Sequence, residues 1–124
     1  MVKQLVLVGL GGGIGSIFRY LTSIATAKYL IGQFPIATFL ANILGCLVLG
    51  FCVSIFSKNP NDSENLRLLF ITGFCGGYTT FSTFAFENIQ ILQQQNYTLL
   101  LTYTLASILV GFAAIFIGLS LGKY

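Results

Sequence analysis

Residues 73–88 read Gly-Phe-Cys-Gly-Gly-Tyr-Thr-Thr-Phe-Ser-Thr-Phe-Ala-Phe-Glu-Asn, mixing hydroxyls, phenyl rings and glycines inside an otherwise apolar stretch. Gly76-Gly77 followed by Thr79-Thr80 is poor helix-forming material. In hydrocarbon a loosened backbone persists only where protein or water satisfies its polar groups again. The hydroxyls of Thr80, Ser82 and Thr83, with Phe81 and Phe84 among them, therefore mark a functional centre where something polar meets the protein.

Arg19 and Glu87 are the charges placed deep in apolar runs. Such charges are costly in a bilayer and usually face a bundle interior or a wet cavity. Both lie past the middle of spans running in the same direction, so both belong toward one face of the membrane. Arg19 has two readings: a structural partner (paired with Glu87 or snorkelling to the interface), or a source of positive potential over an aqueous vestibule for anions. Glu87 alone points instead to a proton or cation site. Asn42 brings an amide with two N–H donors, and Thr38, Asn42 and Gly45 share one helical stripe. The fourth span repeats the pattern with Tyr103, Ser107 and Gly111, where close packing and pore lining both remain open.

Amide N–H, hydroxyl and guanidinium groups all donate, so this inventory favours an anion over a cation. The positive edges of the Phe81 and Phe84 rings add to it. A narrow bore with donors in close sequence suits a small, strongly hydrated anion and excludes larger ones.

These side chains need a helical scaffold in a membrane, and the composition supplies one. Of 124 residues 56% are hydrophobic and only 7% charged, against about one-quarter charged in soluble domains; mean hydropathy is +0.89. Crossing a hydrocarbon core of about 30 Å takes roughly 20 residues. Four runs qualify: 4–27, 35–56, 66–92 and 97–121, separated by a Gly32/Pro35 break, the polar stretch Ser57–Asn65 and a turn at Gln93–Asn96. The expected fold is an all-α membrane protein in which residues 1–124 form a single four-helix transmembrane domain, its third helix broken near the middle.

Several classes drop out. No histidine is present, no carboxylate pair and no nucleophile with a base, so enzymatic chemistry has almost nothing to work with. The first-span glycines lack the Lys and Ser/Thr of a phosphate-binding loop. Gly9-xxx-Gly13 and Gly12-xxx-Ser16 instead suit close helix packing. Cys46, Cys52 and Cys75 lie in apolar segments without CxxC spacing and read as small packing residues. The N-terminal run carries Arg19 and no evident cleavage site, so it reads as a retained span rather than a signal peptide. The net charge of +3 comes from few residues and gives no ground for a nucleic-acid partner.

Residues 11–20 (Gly-Gly-Gly-Ile-Gly-Ser-Ile-Phe-Arg-Tyr), Asn42-Ile-Leu-Gly45 and, above all, Gly76-Gly77-Tyr-Thr-Thr-Phe-Ser-Thr-Phe84 closely resemble the signatures of the Fluc/CrcB fluoride channels. Residues 37–42 depart from the family's frequent Gly-Thr-Leu-x-Val-Asn but keep Thr38 and Asn42. The resemblance implies an antiparallel dimer with two fluoride pores, each lined by both subunits, and passive fluoride export across the cell membrane that confers fluoride resistance. It implies Asn42, Phe81 and Phe84 along the pore, with Thr80, Ser82, Thr83, Tyr103 and Ser107 as a polar track. Arg19, Glu87 and Thr38 fall at the vestibule or orient groups beside the pore. It further implies a structural sodium ion at the dimer axis, held by the backbone carbonyls of Gly76 and Thr79; carbonyls freed by a helix break are hard oxygen ligands suited to such a cation.

Lys3, Lys58, Arg67 and Lys123 fall on the side of both termini, with Lys28 alone opposite. This bias favours termini inside, so besides a homodimer in membrane lipid a heterodimer with an oppositely oriented homologue is open. Two alternatives of other classes remain: a proton-coupled small multidrug exporter using Glu87, whose expected first-span carboxylate is replaced by Arg19, and a non-transporting membrane assembly subunit, which leaves the third-span break without a role.

Overall fold

Helix α1 (Val2–Thr26) runs without a break and tightens into a 3-10 turn at Ala27–Tyr29. These boundaries come from a computed structural model, which describes residues 1–29 and 32–123. Gly32 takes a positive φ of 61°, a conformation open to glycine at no steric cost. Pro35 then caps helix α2 (Ile36–Phe56), where its missing N–H forfeits no helical hydrogen bond.

The third span has two parts. Helix α3 (64–78) begins α-helical at Glu64–Leu66, widens into a π-helix over Arg67–Cys75, and returns to an α-turn at Gly76–Tyr78. After Thr79 and Thr80 the chain resumes as α4 (Phe81–Gln93). A turn through Gln95, with φ 57°, leads into α5 (Tyr97–Gly122), whose first turn is capped by Asn96 accepting from the Leu99 amide at 3.2 Å. Helix is the only regular structure among the described residues.

Three helices, Val2–Tyr29, Ile36–Phe56 and Tyr97–Gly122, are long and apolar enough to cross a membrane; α3 and α4 together supply the fourth expected span. Leu10, Ile17, Leu105, Phe112 and Phe116 stay exposed on the outside. In water such faces would be a liability, and in lipid they are the expected surface. The chain is a multi-pass integral membrane protein.

Packing pairs α2 with α5 and α1 with α3. Both seams depend on glycine at the points of closest approach. A Cβ on Gly118 would strike the α2 backbone at Leu47 and Phe51, and one on Gly11 or Gly15 would strike the α3 backbone at Leu69 or Phe74. Of the pairs expected from spacing, Gly9-xxx-Gly13 does not pack, since nothing among the described residues lies within 4 Å of a Cβ at either position, whereas Gly12 of Gly12-xxx-Ser16 does lie in the seam, against Gly73 and Gly77. The working pair is Gly11-xxx-Gly15, because that face of α1 meets α3.

A second correction concerns the third span, where a glycine-broken helix was expected. Gly76 and Gly77 are helical, and the break falls on the two threonines. Thr79 (φ −82°, ψ 155°) and Thr80 (φ −149°, ψ 123°) are extended, the geometry that β-branched residues favour. Gly77 serves packing instead, its α-carbon facing the Gly12 backbone too closely for any side chain.

Candidate functional site at the interrupted span

An extended dipeptide between two helices exposes backbone groups that must be satisfied in hydrocarbon. Asn42 on α2 performs this at Thr80. The Thr80 amide donates to Asn42 Oδ1 at 2.8 Å, and Asn42 Nδ2 donates to the Thr80 carbonyl at 3.2 Å. One N–H of the amide is left over. Thr80 Oγ1 accepts from the Thr83 amide at 3.2 Å as the N-cap of α4, and lies 3.3 Å from the hydroxyls of both Ser82 and Thr83. A threonine at this position is a standard helix-starting choice.

These bonds have a consequence for the carbonyls. The amide four residues beyond Gly76 belongs to Thr80 and is given to Asn42; that four beyond Thr79 belongs to Thr83 and is given to the Thr80 hydroxyl. The Gly76 and Thr79 carbonyls are thus deprived of their ordinary helical donors. Hard oxygen atoms released in this way fit the donor set that a sodium ion takes. Gly77 is different, since its carbonyl accepts from Arg19 Nε at 3.2 Å.

Below the break, α4 and α5 share a polar and aromatic seam. Glu87 Oε1 accepts from the Thr38 hydroxyl, and Glu87 Oε2 accepts from Tyr103 OH at 3.3 Å. Tyr103 is fully buried, with Phe84 at 5.1 Å and Phe34 at 5.4 Å between ring centroids. Phe81 and Phe84 are 6.1 Å apart, yet Phe81 is 79% exposed and faces outward from the chain.

Two cavities flank the break. One of about 500 Å³ is lined by Asn42, Gly76, Thr79, Thr80, Phe81, Phe84 and Ser107, with apolar walls from Ile71, Ile108 and Phe112. Ser107 Oγ is buried there without a hydrogen-bond partner among the described residues. The other, of about 330 Å³, is lined by Ser16, Arg19, Tyr20, Ser23, Ala37, Thr38, Thr80 and Thr83. Thr80 borders both.

The site residues read from sequence therefore divide into groups. Asn42, Thr80, Phe81, Phe84 and Ser107 meet at the first cavity, while Arg19, Thr38, Thr80 and Thr83 meet at the second. Tyr103, Glu87 and Ser82 line neither. Arg19 and Glu87 both lie near Thr38, but no ion pair joins them, which removes the paired reading. Arg19 instead donates to the Gly77 carbonyl at the end of α3, and Glu87 is held by the Thr38 and Tyr103 hydroxyls. Sequence reasoning missed Thr22 Oγ1 bonded to Tyr78 OH at 2.9 Å, and Asn88 bonded to Thr104 at 3.2 Å. The one available signal for the second pair was spacing, since Asn88 lies four residues after Phe84 and Thr104 directly after Tyr103.

A membrane span interrupted beside cavities that carry a few convergent polar groups marks a class of membrane proteins that handle small polar solutes or ions. Comparison with known proteins narrows the class. Residues 6–119 match the family described as CrcB-like protein, Camphor Resistance (CrcB), and the chain belongs to that family. It is 44% identical to the fluoride-specific ion channel FluC of Azobacteroides pseudotrichonymphae over 124 residues, covering 100% of this chain and 99% of that one. The proteins of the same name from Flavobacterium psychrophilum and Bacteroides fragilis are 43% and 42% identical, each covering 98% of both chains.

Proposed function

We propose that this protein is a fluoride-selective channel of the cell membrane that exports fluoride passively and so confers fluoride tolerance. It conducts an ion and is not an enzyme. The family membership supplies the ion, and the observation that carries the pore reading is the orphaned Ser107 hydroxyl. A buried polar atom without a partner is costly, and this one shares a cavity with Asn42 and the rings of Phe81 and Phe84. An anion passing there would accept from Ser107 and from the remaining Asn42 N–H, with ring edges completing the wall.

The second cavity serves as the vestibule. Arg19 supplies positive potential in a chamber rich in hydroxyls, and Thr80 forms the boundary with the passage. Thr83 joins the vestibule wall, while Ser82, Tyr103 and Glu87 support the passage without lining either cavity, Tyr103 through its ring on Phe84. The outward-facing Phe81 and the broad apolar faces fit a pore completed by a second copy in antiparallel orientation. A sodium ion held by the Gly76 and Thr79 carbonyls would supply a fixed positive charge that braces the break. A heterodimer with an oppositely oriented homologue, suggested by the basic residues near the termini, is distinguished by whether the purified chain alone forms an active dimer.

Purified protein in liposomes should release fluoride and discriminate strongly against chloride. Equal flux of the two ions would overturn this reading.

A further inference from the structure

Resting on that pore reading, we infer that Asn88 and Thr104 form a positioning rung that holds Phe84 at the pore wall. Hydroxyls on helices ordinarily bond back onto their own helix. Ser57 does so to the Val53 carbonyl at 2.6 Å, Thr102 to Thr98 at 2.8 Å and Ser120 to Phe116 at 2.9 Å. Thr104 departs from this habit: its hydroxyl crosses from α5 to α4 and donates to Asn88 Oδ1 at 3.2 Å. The same amide turns back along α4, and Asn88 Nδ2 donates to the Phe84 carbonyl at 3.1 Å. One side chain thus ties α5 to the backbone of the residue that carries the ring.

A second rung lies one residue earlier on each helix, where Tyr103 OH donates to Glu87 at 3.3 Å and the Tyr103 ring packs 5.1 Å from that of Phe84. Two helices joined by one polar contact can still rotate about it. Two contacts at successive residues resist both rotation and axial slide, and in hydrocarbon water does not readily replace a lost partner. Asn88 lines neither cavity, so any effect it has on the ion is indirect, and its bond to the Phe84 carbonyl is the direct link to the pore wall.

The test compares the full-length protein in liposomes with Asn88→Leu, Thr104→Val, their combination, Thr104→Ser, and Phe84→Ile as reference. Fluoride flux per folded dimer and the fluoride-to-chloride ratio are both read. Asn88→Leu and Thr104→Val should each lower flux on the order of tenfold and reduce the ratio. The double variant should be no worse than either single, and Thr104→Ser should keep native values. Normal flux in Asn88→Leu and Thr104→Val, with flux lost in Phe84→Ile, overturns the rung and leaves the pore reading standing. Normal flux in Phe84→Ile overturns both. Lower thermal stability with unchanged flux and ratio makes the pair mere packing and equally overturns the inference. Should Asn88→Leu fail to assemble, Thr104→Val, which keeps the side chain's shape, decides alone.

Discussion

Helices α3 and α4 continue one crossing of the membrane, yet different contacts fasten them. Helix α3 lies against α1 along a glycine seam, with Gly11, Gly15, Gly73 and Gly77 bringing backbone against backbone, and side-chain bonds, Arg19 to Gly77 and Thr22 to Tyr78, join it only at its end next to the break. Helix α4 is held through side chains: Asn42 on the Thr80 backbone, Thr38 and Tyr103 on Glu87, and Thr104 on Asn88. Backbone contact tolerates no added volume and offers no group for chemistry. Side-chain contact leaves spare donors, and the cavities gather where those donors are. The difference separates the half that fixes the break from the half that uses it.

The sharpest way to break this comparison is to add volume on the α3 side. Gly15→Leu places a side chain into the Phe74 carbonyl and the Tyr78 amide, both backbone atoms that have nowhere to go. Overpacking commonly costs about 1–3 kcal/mol and more where the backbone must shift. No folded protein should be recovered on size-exclusion chromatography. Gly13→Leu, two residues away with open space around it, should elute normally; equal behaviour of the two would show that the assigned α1 face is wrong.

On the α4 side the effect should move from folding to transport. Phe81→Ile and Phe84→Ile keep bulk and hydrophobicity but remove the ring edge. As packing changes they should cost about 1.5 kcal/mol or less. As pore changes they should lower fluoride flux by orders of magnitude in a protein that still elutes normally. Native flux in both would return these rings to the core.

Much of this division was legible in the sequence. Apolar runs gave the spans because bilayer thickness sets their length, and Pro35 marked the start of α2 to within a residue. Thr79-Thr80 announced the break because β-branched residues favour extended backbone, although neighbouring glycines drew attention to the wrong pair. The nine-residue π-helix from Arg67 to Cys75 was not legible, since a wider turn requires no particular side chain. Nor did spacing settle which first-span glycines pack: five of them in seven residues satisfy more than one i, i+4 face. The partners of Asn42 and Arg19 were hidden for another reason. Both bond to backbone atoms, 38 and 58 residues away, and backbone acceptors leave no mark in composition.

Asn42 is where the two means of fastening meet. Asn42→Leu preserves approximate volume but leaves the Thr80 N–H and C=O without partners, each such loss costing about 1–3 kcal/mol. The melting temperature should fall, and flux should fall with it. Asn42→Asp restores the acceptor for the Thr80 amide but not the donor for its carbonyl, so it should melt between the two. A stability equal to that of the native protein in Asn42→Leu would show that the break is satisfied by other means.

The smallest effect is expected at Thr79, where the comparison becomes a question about one carbonyl. Thr79→Ala removes the Oγ1 bond to the Cys75 carbonyl at 2.8 Å, a contact whose net worth is about 0.5–1.5 kcal/mol. It leaves the Thr79 carbonyl in place, and with it the oxygen pair proposed to hold sodium. If the ligands are backbone atoms, melting should remain sodium-dependent in Thr79→Ala, with the difference between sodium and a bulky organic cation close to that of the native protein. Stabilisation in Thr79→Ala that no longer depends on sodium would place the cation on the hydroxyl instead. Absence of a sodium effect in both proteins would remove the cation from the break, and the freed carbonyls would then have to be satisfied by water.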